Sequence, residues 1–197
     1  MSAREDILAR VRTNRPAGEH ALPQLPHFAI AGGEELDRVE TFSRALVAMG
    51  GRMVRSSEIS TPLAWIRDQF PDAKVICSAV PEVPSDRALS AVRKPQDLAD
   101  VDVAVVRAVL GVAESGSVLF TEAELKVNTL AYLAQHLVVL LKASAVVSGL
   151  QAAYTNPVFK TAHYAVFHTG PSATGDIEGV LIHGAQGVRS LTVILEG

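Results

Sequence analysis

Cysteine is nearly absent from this chain, which has one such residue, Cys77, in a length of 197. A single cysteine excludes a disulfide within the chain, and an iron–sulfur cluster held by this chain alone would need about four thiolates. Cys77 lies in the apolar run Lys74-Val-Ile-Cys-Ser78, which favours a small core residue over a nucleophile. We therefore expect no cofactor bound by this chain alone.

Aromatic content and net charge are also low, at 5% and −3. Sites for nucleic acid need aromatic platforms or clustered Lys and Arg, so we predict no nucleic-acid partner. No apolar run reaches the roughly 18–20 residues of a membrane span, and the start Met1-Ser-Ala-Arg-Glu-Asp6 has no signal-peptide core. These features predict a cytoplasmic protein without a membrane span.

Three common catalytic motifs are missing: the P-loop, the dinucleotide-binding glycine fingerprint and the nucleophile elbow. Their absence argues against nucleotide hydrolysis, a Rossmann-type dehydrogenase and a serine hydrolase. The six histidines lack the spacing of a metal site. His163 and His168 lie five positions apart on a predicted strand and so face opposite sides. No metal site is predicted.

Residues 1–27 are predicted to form an N-terminal helix and a Pro-rich linker. Ser2-Ala-Arg-Glu5 matches a capping box. The apolar residues that follow at helical spacing are Ile7, Leu8 and Val11. Residues 13–27 have no periodicity and are typical of a linker, so we expect the helix to pack on a partner or another subunit. Residues 28–197 form the main domain.

The main domain alternates between predicted helices and strands. Helical spacing extends from Glu34 to Met49, and Thr61-Pro62 predicts the start of a helix that reaches Phe70. His136-Leu-Val-Val-Leu-Leu141 is continuously apolar, as in a strand buried on both faces. Further strands are predicted at 53–54, 75–77, 102–107, 109–112, 118–120, 164–167 and 191–195. The pattern predicts an α/β fold, a sheet with helices on both faces.

Three stretches complete this prediction. Residues 125–135 and 145–154 carry apolar residues at helical spacing and are predicted to be helices. Residues 81–95 are bounded by prolines and are predicted to be a surface excursion with a short helix.

The segment 169–187 concentrates glycines, hydroxyls, carboxylates and an imidazole between two predicted strands. Glycine allows close backbone approach, and N–H groups that open a helix bind anions. The candidate ligands to a small carboxylate or phosphate are Gly170, Ser172, Thr174, Asp176, Glu178 and His183. Ser172 and Thr174 also suit the N-cap of a helix starting there. An ordinary strand–helix connection with a structural His183 explains the same composition.

Glu114 is the candidate catalytic residue. It follows Gly111-Val-Ala113 and leads into Ser115-Gly-Ser117, a tight turn between apolar segments. A carboxyl beside glycine at a strand end is suited to general-base or nucleophile chemistry if partly desolvated. Ser115, Gly116 and Ser117 are added to the predicted ligand-binding residues. The alternative is a solvated acid in a hairpin turn.

Both segments resemble motifs of the LUD-domain family. Gly111-Val-Ala-Glu-Ser-Gly-Ser-Val-Leu119 resembles its A-E-T-G-T motif, with serines in place of the threonines. Gly170-Pro-Ser-Ala-Thr-Gly-Asp-Ile-Glu-Gly179 resembles its G-P-S-x-T-x-D-I-E signature. Within the family the resemblance is to the lactate utilization protein C branch (LutC or YkgG).

The resemblance implies a fold like that of the NagB/RpiA/CoA-transferase superfamily. It also implies a place in a multi-subunit, iron–sulfur-dependent system that oxidises L-lactate to pyruvate, with the clusters in cysteine-rich partner subunits. Some relatives in the wider superfamily use a Glu in an E-x-G turn as the nucleophile for CoA transfer, the position that Glu114 would hold.

Three functions stay open at this point: a non-redox subunit of a lactate-oxidising complex, a stand-alone isomerase or acyl transferase that uses Glu114, and a structural or regulatory protein. A site formed by both motifs requires that the turn at Glu114 and the segment 170–187 meet at a common cleft.

Overall fold

The computed structural model describes residues 2–16, 18, 24, 35–176, 178–184 and 186–197. Of Glu35, Leu36 and His183 it describes the backbone only. The helices in these residues are α1 Ala3–Thr13, α2 Glu35–Ala48, α3 Pro62–Gln69, α4 Glu122–Leu125, α5 Leu130–Leu133 and α6 Leu150–Tyr154. The strands are β1 Arg52–Arg55, β2 Ile76–Ser78, β3 Val103–Arg107, β4 Leu110–Val112, β5 Ser117–Thr121, β6 His136–Lys142, β7 Val146–Val147, β8 Ala165–His168, β9 Ala173–Thr174, β10 Ile182–His183 and β11 Ser190–Glu196.

A parallel sheet of five strands forms the centre of the main domain, in the order β1-β11-β6-β3-β2. Its middle strands are buried on both faces, because alternate side chains of β6 enter two separate hydrophobic clusters. Leu137, Val139 and Leu141 belong to one cluster, and Val138 and Leu140 belong to the other. The continuous apolar run of this strand is explained by burial on both sides.

Helices cover both faces of this sheet, as predicted. Phe42 and Leu46 of α2 are fully buried in the first cluster. Ile66 of α3 is fully buried in the second. The side chain of Thr61 accepts a hydrogen bond from Ala64 N and caps α3, whose first residue is Pro62. The predicted α/β architecture is therefore confirmed.

A second sheet of four strands, in the order β7-β4-β5-β8, was not predicted from the sequence. Its β4–β5 and β5–β8 pairs are antiparallel, and β4 pairs with β7 in parallel. Val118 and Phe120 share the cluster of α2. On the opposite face, Leu119 packs with Ala153 of α6. Local periodicity identified these strands but not the sheet to which they belong.

The predicted helix at 125–135 is wrong as a continuous element. The structure has two short helices there, α4 and α5. Lys126 between them has φ 61°, a left-handed conformation that no helix continues through. Thr121 caps α4, with Glu124 completing a capping box, so the first helix begins earlier than predicted.

Two other boundaries differ from the prediction. Val146–Val147 form β7, because these β-branched residues pair with β4, and α6 begins only at Leu150 after Gly149. The excursion at 81–95 contains no α-helix among its residues; it has a 3-10 turn at Leu89–Ala91, and a second one, Pro95–Leu98, begins at its last residue.

The N-terminal helix α1 is confirmed with its capping box. Ser2 N donates to the Glu5 carboxylate and Glu5 N donates to Ser2 Oγ. No residue of α1 is buried. The predicted linker at 13–27 lies mostly outside the described residues, as does the domain boundary at 27/28.

Among the described residues, no helix is long and apolar enough to cross a bilayer.

Candidate functional site

The turn between β4 and β5 packs against the end of α2. Gly116 has φ 68°, and a Cβ at this position would lie 2.3 Å from the backbone nitrogen of Leu46. Only glycine fits such an approach. Ser117 is buried, and its hydroxyl shares hydrogen bonds with Ser115 Oγ at 2.7 Å and Thr169 Oγ1 at 2.6 Å. Three hydroxyls therefore form a chain from this turn to the C-terminal segment.

The Glu114 side chain takes no part in the hydrogen bonds of that chain of hydroxyls. Its Oε2 accepts a hydrogen bond from Leu150 N at 3.1 Å, and its backbone N–H donates to Ser148 O at 3.0 Å. Leu150 is the first residue of α6, whose N-cap Gly149 has no side chain to offer. The carboxylate of Glu114 thus caps α6 from a distant part of the chain, a stabilising position for a negative charge.

The C-terminal segment begins with close contacts of its own. Gly170 has φ 66°, and a Cβ here would lie 2.2 Å from the carbonyl oxygen of Met49. Ser172 N donates to Val188 O at 2.9 Å, Ser172 O accepts from Gly184 N at 2.7 Å, and Ser172 Oγ donates to Gln186 O. Ser172 therefore connects the beginning of the segment to its end by three hydrogen bonds.

The helix predicted to start at Ser172 or Thr174 is wrong. The described residues between 172 and 184 form an antiparallel pair, β9 with β10, instead. Thr174 Oγ1 accepts a hydrogen bond from Asp176 N at 3.4 Å. Asp176 and Glu178 are exposed in the connecting loop. The backbone of His183 pairs with Ala173.

A cavity of about 310 Å³ opens beside Ser172. We call it the Tyr132–His168 cavity. Its lining residues are Ala131, Tyr132, Val166, Phe167, His168, Gly170, Pro171, Ser172, Ala173, Gln186, Gly187 and Val188. Of the residues predicted from the sequence, Gly170 and Ser172 are in this set. Glu114 and the Ser115–Ser117 turn are not among its described lining residues.

Two aromatic side chains of this cavity were not predicted as site residues. The rings of Tyr132 and His168 lie 4.8 Å apart, tilted by 58°. Burial lowers the pKa of His168 to about 4. Burial, with the hydrogen bond to the Tyr164 hydroxyl, raises the pKa of Tyr132. Both side chains are therefore neutral at physiological pH. The sequence offered one indication of His168 as a site residue: it is a histidine at the end of a strand, directly before the glycine-rich segment.

A second cavity, of about 300 Å³, lies near the amino ends of the parallel strands. We call it the Arg189 cavity. The His136 ring stacks on Phe70 at 4.2 Å, and its Nδ1 shares a hydrogen bond with Ser190 Oγ. Burial, and then the charge of Arg189, lowers the pKa of His136. Asp102 lines the cavity, but its Oδ2 accepts hydrogen bonds from two backbone N–H groups.

Among the described residues, no three His, Cys, Asp or Glu side chains come together as a metal ion would require. Cys77 of β2 is buried, and burial raises the pKa of its thiol.

Residues 88–195, more than half of the chain, match the LUD domain. The chain belongs to the LUD domain family. The matched range contains every candidate residue from Glu114 to His183 and all residues of the Tyr132–His168 cavity. The resemblance inferred from the two motifs is thus confirmed at the level of the family.

A solved structure has a similar fold. A DUF162 family protein from Deinococcus radiodurans superposes with a TM-score of 0.64 at 13% sequence identity, over 84% of this chain and 100% of that one. At this identity the likeness concerns the fold alone. No curated protein matches the sequence. The parallel sheet draws β1 and β2 from residues before the matched range, so the LUD fold of this chain includes residues from at least 52 onward.

Proposed function

We propose that this chain is a subunit of the lactate utilization protein C kind, without a redox centre of its own, in an iron–sulfur-dependent system that oxidises L-lactate to pyruvate. Its membership of the LUD domain family, which is associated with lactate utilization, supports this role. The finer assignment depends on the two motifs, Gly111–Leu119 and Gly170–Gly179.

The proposal that this chain has no redox centre of its own is supported by its single cysteine. Cys77 is the single cysteine of the sequence, its side chain is buried, and burial raises its pKa. A cluster is held by about four deprotonated cysteine thiolates, and this chain offers one cysteine. Electrons from lactate would therefore pass through clusters held by cysteine-rich partner subunits, in the cytoplasm.

Helix α1 offers one surface for contact with such a partner. Ile7 and Val11 are 62% and 63% exposed, and α1 has no buried residue. The helix therefore leaves Ile7 and Val11 available for contact with another molecule.

A small carboxylate or phosphate is part of the same proposal, and Arg189 supports the Arg189 cavity as one place for it. Among the described residues that line this cavity, Arg189 is the single Lys or Arg, and Asp72 and Asp102 are the acids. The Asp102 carboxylate already accepts two backbone hydrogen bonds. A guanidinium can bind a carboxylate through two parallel hydrogen bonds, and the Ser190 hydroxyl lies next to it in the chain.

The proposal is tested by deleting the gene and growing the cells on lactate, then isolating the tagged chain anaerobically and measuring lactate oxidation. We expect loss of growth, recovery of cysteine-rich partners, and full rescue by the matched variant Cys77→Ala. Normal growth of the deletion strain, or a Cys77→Ala complex with less iron, would show that the proposal is wrong.

A stand-alone enzyme that uses Glu114 is the second candidate. The exposure of Glu114 in a turn beside Gly116 favours it, whereas the hydrogen bond from Leu150 N gives the carboxylate a structural role. An acyl-CoA adduct on Glu114 would support the enzyme. Rescue of growth by the double variant Glu114→Gln, Asp176→Asn would instead favour a structural or regulatory protein.

A further inference from the structure

The described walls of the Tyr132–His168 cavity carry no formal charge. Among the described residues that line it there is no Asp, Glu, Lys or Arg, and burial keeps His168 neutral. The backbone N–H of Ser172 already donates to Val188 O. A small carboxylate bound here would lose part of its hydration without gaining a cation, which disfavours binding. The cavity is therefore unsuited to a lactate-like anion.

Aromatic rings shape this cavity instead. The His168 ring lies between Phe120, which meets it edge to face at 5.3 Å, and Tyr132, tilted against it at 4.8 Å. Tyr132 remains 37% exposed, so part of its ring is free to contact a ligand. Apolar walls with an accessible ring favour a flat ligand that contacts the ring by stacking.

One polar atom at this cavity lacks a partner. His168 Nε2 is buried and has no hydrogen bond to any described residue. Leaving such an atom unpaired is unfavourable. A ligand group could pair with it once the His168 ring turns toward the cavity, because the atom is closed to solvent as the ring stands. The nitrogen of a neutral imidazole donates or accepts according to its tautomer. When Nε2 carries the proton it can donate to a carbonyl oxygen of a ring. In the other tautomer Nε2 can accept a hydrogen bond from a ring N–H.

We propose that the Tyr132–His168 cavity binds an uncharged planar ring bearing a carbonyl group, with the ring against Tyr132 and its polar edge toward His168. A flavin ring and a quinone ring share this chemistry. The volume of about 310 Å³ is at the lower end of the range for small-molecule sites and suits a ring without a long polar tail. This binding property goes beyond the lactate role and does not depend on it.

The test is a titration of the full-length protein, labelled with nitrogen-15, with lumiflavin and with duroquinone. Lactate, pyruvate and inorganic phosphate serve as charged probes. We expect at least one ring to shift the amide resonances of Ala173, Gly187 and Val188, with a Kd below about 1 mM, and the charged probes to leave them unchanged. Binding of lumiflavin would indicate a flavin as the ligand, and binding of duroquinone would indicate a quinone.

Two variants locate the ring. His168→Phe keeps an aromatic ring but removes the nitrogen, and we expect it to weaken binding by about five-fold or more, since one hydrogen bond is lost. Ala173→Trp places a large side chain at an exposed position of the rim and should abolish binding. His163→Phe is the matched control, because that side chain is 97% exposed and should bind the ring as the native protein does.

Three outcomes would overturn the proposal. The first is that neither ring shifts the three amides. The second is that ring binding survives in Ala173→Trp, which would place the ring elsewhere. The third is that lactate, pyruvate or phosphate shifts the same amides. Since Ala173 is exposed, Ala173→Trp remains usable if His168→Phe does not fold. A negative growth result on lactate would leave this measurement unaffected.

Discussion

Ser117 and Thr169 are separated by 52 positions in the chain, yet their hydroxyl oxygens lie 2.6 Å apart and share a hydrogen bond. This bond joins the β4–β5 turn to the start of the glycine-rich segment. Gly116 and Gly170, the neighbours of these two residues, both pack on backbone atoms at the end of α2. The two motifs of the sequence therefore meet, but they meet through hydroxyls and glycines, while the carboxylate of Glu114 points to α6.

A double-mutant cycle measures this bond. Ser117→Ala and Thr169→Val should each destabilise the protein by about 1–2 kcal/mol, because each leaves a hydroxyl without its partner. The double variant should lose less than the sum, with a coupling of about 0.5–1 kcal/mol. Urea unfolding of the four proteins gives these values. Strict additivity would show that the two hydroxyls do not stabilise each other.

The glycines of the two motifs are predicted to be indispensable for packing. Gly116→Ala and Gly170→Ala should each destabilise by at least about 2 kcal/mol, because the new Cβ would enter α2 and the φ is positive. Gly175→Ala is the control, since nothing lies within 4 Å of its Cβ position, and should be neutral within about 0.5 kcal/mol. Thermal melts suffice. Equal melting temperatures for Gly116→Ala and Gly175→Ala would contradict the packing described here.

The parallel sheet and its helices could be predicted from the sequence because their signals are local. The run Leu137–Leu141 is apolar at every position, and both faces of that strand are buried. Ser2 and Thr61 each cap the helix they were predicted to cap. Helix caps and burial patterns depend on residues a few positions apart, so they can be predicted from the sequence without knowledge of the fold.

The second sheet depends on pairing between distant segments. The spacing of Val146 and Val147 is that of a helix, but the two residues form a strand because they pair with β4. Likewise, Tyr132 and His168 share a cavity only because α5 and β8 pack together. No spacing in the sequence links those two residues. Glu114 was identified by its turn, whereas its contact with Leu150 required the fold.

Glu114 provides a prediction that separates a cap from a nucleophile. Glu114→Ala should destabilise by about 1 kcal/mol, because α6 loses the acceptor at its first N–H. Glu114→Gln keeps an oxygen acceptor and should lose only a few tenths of a kcal/mol, although it cannot form an acyl anhydride. Both variants are compared by urea unfolding and by growth on lactate.

For a structural Glu114, we expect growth to follow stability, so that Glu114→Gln supports growth like the native protein. Growth abolished by Glu114→Gln at unchanged stability would contradict the structural role and indicate that the carboxylate is the nucleophile.

His168 should make the stability of the fold depend on pH. Burial lowers its pKa to about 4, from 6.5 without burial. Because the unfolded chain takes up this proton at a higher pH than the folded protein, the contribution is complete above about pH 6.5 and is lost as the pH falls toward 4. The full difference corresponds to about 3 kcal/mol.

The contribution of His168 is isolated by comparing variants, because His136 and several carboxylates also have lowered pKa values. Urea unfolding between about pH 7 and pH 4.5 should show a smaller loss of stability for His168→Phe than for the native protein. His163→Phe is the control for an exposed imidazole: it removes only the surface contact with Glu122 at 3.6 Å, so its loss of stability should stay close to that of the native protein. If native protein and His168→Phe lose stability equally over this range, His168 is not a neutral buried histidine, and the wall of the cavity carries a charge after all.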